Sequence, residues 1–152
     1  MSTGPEIGTL AAITRAQNTS RIKTSLFYAV LLILLWWQTR WPSLHWGLSM
    51  LLLAQLGSAL LLLWRNMRLL PSEPGGEWIA NQLRWETRLH VFENVTRAAG
   101  FLLLAWGFWQ ATRNVSVALL LGVIYPGFMY WGVARKNYAR SMARFRTTAA
   151  DV

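Results

Sequence analysis

The chain has 152 residues, 54% of them hydrophobic and only 14% charged, with ten tryptophans and a net charge of +9. That is enough for one domain, but a soluble domain of this size has too little interior to hide so much apolar material, and here it arrives in long blocks rather than at helix or strand spacing. The absence of cysteine excludes disulfides and thiolate metal sites. The basic residues flank the apolar blocks, so the positive charge is read as membrane topology, with no nucleic acid as partner.

Residues 1–24 are read as a cytoplasmic tail. The first twenty are small and polar, with Gly4, Pro5 and Gly8, and are expected to be disordered or a frayed helix. Arg15, Arg21 and Lys23 form a basic flank. No cleavable leader is expected, because the first apolar block begins at Ser25 and is followed by Gln38, Thr39 and Arg40 rather than by a small-residue cleavage site. The first span covers about 24–39, 16 residues, or roughly 24 Å of helix. That is short against a hydrocarbon core of about 30 Å. The second span covers 42–64 and opens on Pro42, where a helix tolerates a missing N–H. The short connection makes the two an antiparallel hairpin.

A polar middle, 65–97, follows. It holds five of the fifteen basic residues and four of the six acidic ones. Arg65, Asn66 and Arg68 end the second span, Pro71 stops the helix, and Ser72 to Gly76 reads as a turn. From Glu77 the pattern is helical. Trp78, Trp85, Leu89 and Phe92 fall at i, i+7, i+11 and i+14, one face of a 3.6-residue period. Too apolar for bare solvent, this stripe must pack on the extended second helix, lie on the membrane or bind a partner.

The third span, 98–112, has no breaker between it and the stalk, so one long helix is expected from Glu77 onwards. The fourth, 115–134, contains Pro126, which should kink it. The tail, 135–152, reads as a short basic amphipathic helix lying on an anionic membrane surface. Lys136, Arg140 and Arg144 share one face, where lipid headgroups would bind, and Tyr138, Met142 and Phe145 form another stripe. Residues 147–152 are expected to fray.

The fold class is therefore all-α integral membrane: two transmembrane hairpins in a 25–134 domain, joined by a cytoplasmic amphipathic stalk. Thirteen basic residues fall on one side, and only Arg40 and Arg113 on the other. This positive-inside bias places both termini and the middle in the cytoplasm of a bacterial-type inner membrane. The two halves share a pattern, since Trp37-Gln38-Thr39-Arg40 ends one short span and Trp109-Gln110-Ala111-Thr112-Arg113 another. A true duplication would give a parallel repeat. The commoner explanation is a Trp-rich interface beside a snorkelling arginine.

Candidate chemistry is sparse. His45 and His90 are expected on opposite sides of the membrane, so they cannot share a metal. No Asp, Glu, Lys or Arg lies inside a span, which counts against a proton-coupled exporter. Gln55 and Ser58 are read as interhelical hydrogen-bonding residues or as a place for a partner helix to dock. Glu86 and Glu93 read as a solvated face balanced by Arg84 and Arg88. No catalytic, cofactor or metal residue is assigned.

The layout resembles that of the immunity proteins that protect bacteria from pore-forming toxins, and of many small bacterial accessory membrane proteins. The lack of a catalytic constellation and the apolar stripe on the stalk point to a non-enzymatic role. The expectation is an accessory or regulatory subunit that binds membrane lipid and a larger membrane protein, or self-associates, through Trp78, Trp85, Leu89, Phe92, Gln55 and Ser58. An immunity-type protein and a small oligomeric transporter or channel are the alternatives.

Overall fold

The structure, a computed structural model, describes residues 3–69 and 75–150, and these are all-helical apart from short turns. Helix α1 is Thr3–Gln38, α2 is Pro42–Met67 and α3 is Gly75–Thr112. The fourth rod is α4 (Val115–Leu119), a π-helical turn over Leu120–Ile124, and α5 (Tyr125–Ala150). Among the described residues, two helices are long and apolar enough to cross a membrane, within Gly8–Gln38 and Pro42–Met67, and Val115–Phe128 is a shorter apolar stretch.

Local chemistry sets the ends. Pro42 occupies the start of α2 after an extended Trp41. At the α3–α4 corner Arg113 takes a left-handed φ of 54°. Asn114 is extended, and its side-chain oxygen accepts hydrogen bonds from the Ser116 and Val117 amides at 3.0 and 3.2 Å. Proline within a helix removes one hydrogen bond and its ring clashes with the carbonyl four residues earlier. For Pro126 that residue is Gly122, and the widened π-turn lies there, so the expected disturbance takes the form of a π-turn. Pro71 and residues 72–74 of the expected turn lie outside the described residues.

The helices form an open row. Helix α2 packs extensively on both α1 and α3, and α3 packs on the fourth rod. Helix α1 touches α3 only slightly and makes no comparable contact with α4 or α5 among the described residues. Glycines set the close approaches. A Cβ at Gly107 would stand 2.6 Å from the Ser43 carbonyl oxygen, and one at Gly122 2.5 Å from the Ala105 Cα. Across the first of these contacts the Ser43 hydroxyl donates to the Gly107 carbonyl at 2.9 Å.

Two expectations about the termini need correction. Residues 3–20 belong to α1 instead of fraying, because Leu10, Thr14, Asn18, Ser25 and Ala29 make one buried face along it. Asn18 donates to the Asn66 side-chain oxygen at 2.8 Å. The basic tail is not a separate surface helix either. It continues α5 to Ala150, and Phe145 joins Leu10, Ala11, Leu69, Trp78 and Ile79 in a buried cluster. That cluster ties together the start of α1, the end of α2, the start of α3 and the end of α5. Residues 151–152 lie outside the described residues.

Candidate functional site: a charged groove between α1 and α5

Near the polar end of the row, charged side chains from three helices meet. Arg65 on α2 is 2% exposed and Glu86 on α3 is 3% exposed. The Arg65 Nε donates to the Gln82 side-chain oxygen at 2.9 Å, and its Nη1 donates to Glu86 Oε1. Gln82 and Glu86 are one turn apart, so a single arginine engages both. The other Glu86 oxygen accepts from Arg21 of α1 at 3.3 Å. Arg21 also reaches Glu93 at 3.5 Å, and Arg97 lies 3.8 Å from the second Glu93 oxygen. The result is an alternating chain, Arg65–Glu86–Arg21–Glu93–Arg97. Burial pushes the Glu86 carboxyl up, but the Arg65 and Arg21 guanidiniums outweigh it and hold the group below the usual carboxylate range.

His90 stands on α3 between the two glutamates. Its ring stacks on Tyr138 of α5 with centroids 4.0 Å apart and planes 7° from parallel. Its Nε2 is 3.0 Å from the Asn94 side-chain nitrogen. The Tyr138 hydroxyl is 3.3 Å from that of Thr87. Burial lowers the His90 pKa, Arg21 and Arg97 lower it further, and Glu93 and Glu86 pull the other way without prevailing.

These groups line one end of a groove of about 800 Å³ between α1 and α5. The polar end carries Arg21, Glu86, Glu93, Arg97, Arg140 and Arg144; the apolar end carries Leu31, Leu32, Leu35, Leu51 and Phe101. Its floor is α3 with part of α2. One wall is α1 and the other is α5.

The residues singled out from sequence are distributed unevenly around this site. Trp78 is 3% exposed within the terminal cluster, and Leu89 is 2% exposed. Trp85 stacks edge-on with Trp64, centroids 4.9 Å apart, and Arg68 covers the Trp64 ring at 4.0 Å. The Phe92 ring sits against Gly57. The stripe is thus taken up by the chain's own helices, mainly α2. Ser58 is fully buried, while Gln55 lines the groove. Arg140 and Arg144 are at the groove mouth, and Lys136 is exposed outside it. His45 is elsewhere, its Nε2 3.1 Å from the Trp36 carbonyl oxygen and its ring against Trp36.

The reading of Glu86 and Glu93 as a solvated face is corrected. Both are buried, and their partners are Arg65, Arg21 and Arg97 rather than Arg84 and Arg88, which are exposed. Two of those partners come from other helices, so helical spacing within α3 could not find them. Compared with known proteins, the chain matches no family model, no curated protein and no solved structure.

Proposed function

We propose that the chain is a four-span, non-enzymatic accessory or regulatory protein of a bacterial-type inner membrane, with both termini cytoplasmic, and that it acts by binding a larger membrane partner. The observation that carries the reading is the state of α1. It stands at one end of the row and packs mainly on α2, leaving Val30, Leu34 and Trp37 56%, 52% and 82% exposed. These fall at i, i+4 and i+7, one helix face. Lipid chains cover such a face as well as protein does, so the reading turns on whether a helix lies there.

A photo-cross-linking residue placed in turn at positions 30, 34 and 37 in native membranes tests it. The expected result is one protein adduct of the same mass at all three positions, larger than this chain. Adducts with lipid alone, or with a second copy of this chain alone, would contradict the proposal.

A further inference from the structure

We infer that the groove between α1 and α5 is a binding site for one acidic phospholipid, with the headgroup among Arg21, Arg97, Arg140 and Arg144 and the chains along Leu31, Leu35 and Phe101. The inference rests on the membrane placement proposed above but not on the partner. It differs from a diffuse attraction of the basic tail to a membrane surface, because it needs a shaped cavity and arginines from three helices.

Charge comes first. Four arginines and two glutamates line the polar end, and Glu86 is already paired from behind by the buried Arg65. The mouth therefore carries an excess of positive charge, with guanidinium forks suited to a phosphate. The opposite end of the same cavity is lined by leucines and Phe101. A ligand filling both must be anionic at one end and apolar at the other.

Length comes second. Leu35 lies 14 residues beyond Arg21 on α1, about 21 Å along the axis. Half of a bilayer, headgroups included, is about 20–22 Å. With the first span over about 24–39, Leu35 stands near its outer end, so the groove runs from the cytoplasmic headgroup level past the midplane, long enough for the chains of one inner-leaflet lipid.

The groove holds about 800 Å³, within the range of roughly 300–1,000 Å³ usual for a ligand site. It is also open along the gap where α1 and α5 do not meet, so a lipid enters sideways.

Native mass spectrometry of the purified full chain in detergent, titrated with phosphatidylglycerol or phosphatidylcholine, tests this. The expected result is one phosphatidylglycerol retained, at least tenfold tighter than phosphatidylcholine. R140Q/R144Q should lose that preference, while R135Q/K136Q, which removes the same charge from the same helix outside the groove, should keep it. Leu32→Trp should block binding with every charge in place. Leu35→Trp serves as a second plug, and circular dichroism checks that each variant folds. Equal losses in the two charge variants, undiminished binding in both folded plugs, or full displacement by inorganic phosphate would overturn the site. Because the assay uses isolated protein, it stands or falls independently of whether a partner is found at α1.

Discussion

Glu86 of α3 holds Arg65 of α2 with one oxygen and Arg21 of α1 with the other, so one carboxylate joins three helices. Removing it strands the buried Arg65, while Arg21 keeps Glu93. Removing Arg65 leaves Glu86 with a counter-ion. The two substitutions should therefore differ. Glu86→Leu is expected to cost about 3–5 kcal/mol, in the range for breaking a buried ion pair. Arg65→Met should cost about 1–3 kcal/mol, nearer the cost of an unmet buried hydrogen bond. The double variant should recover much of the Glu86→Leu loss. Denaturant unfolding in detergent, analysed as a double-mutant cycle, measures the coupling.

The glycines make a second contrast. Gly107 and Gly122 face backbone atoms of a neighbouring helix, which cannot step aside, whereas among the described residues nothing lies within 4 Å of a Cβ at Gly127 or Gly132. Gly107→Ala and Gly122→Ala should each destabilise by about 1–3 kcal/mol. Gly127→Ala and Gly132→Ala should be neutral or stabilise by up to about 1 kcal/mol. Gly57→Ala should fall between, because the Phe92 ring it meets can turn. Thermal midpoints across the five variants give the order.

Acid sensitivity follows from two depressed groups. His90 is lowered from 6.5, so the unfolded chain takes up a proton first and stability is lost as pH falls below 6.5 toward the folded value. Glu86 is lowered from 4.5, so its contribution is lost only below 4.5. Arg21, Glu86, Glu93, Arg97 and the Tyr138 ring are the groups around His90 in this balance. The loss between about pH 6.5 and 5 should belong to His90. His90→Phe, which keeps the stack on Tyr138, should flatten the stability profile in that window and leave the steeper loss below it.

Adjacent positions at the α3–α4 corner should respond in opposite directions. Arg113 holds a left-handed φ that an L side chain disfavours, so Arg113→Gly should stabilise by up to about 1 kcal/mol, less any contribution from its guanidinium near the Trp109 ring. Asn114 caps α4 through two amides, so Asn114→Ala should cost about 1 kcal/mol. Both are read from melting curves.

The apolar blocks and the Pro42 start were legible because hydropathy and proline act locally. The missing breaker between Glu77 and Ala98 was legible for the same reason, and α3 runs unbroken over Gly75–Thr112. The buried face of residues 3–20 was not, since Thr14 and Asn18 register as polar until α1 is set beside Asn66. Nor was the charged site. Arg21, Arg65 and Glu86 are separated by 44 and 21 residues, and only the packing of α1 and α3 on either side of α2 brings them together. The one sequence signal was Glu86 and Glu93 two turns apart on a single face, which a solvent-facing helix also shows. Arg140 and Arg144 were singled out for headgroups from their spacing alone; that a groove opens beside them depends on α5 continuing past the fourth apolar stretch.

Because the chain has no cysteine, single-cysteine labelling with a membrane-impermeant maleimide reports topology without background. Four positions suffice: Arg40→Cys, Arg84→Cys, Arg113→Cys and Lys136→Cys in intact spheroplasts. The four-span reading, with both termini cytoplasmic, predicts labelling at 40 and 113, and protection at 84 and 136 until the membrane is permeabilised. Labelling at 40 with protection at 113 would leave only α1 and α2 in the membrane and contradict it.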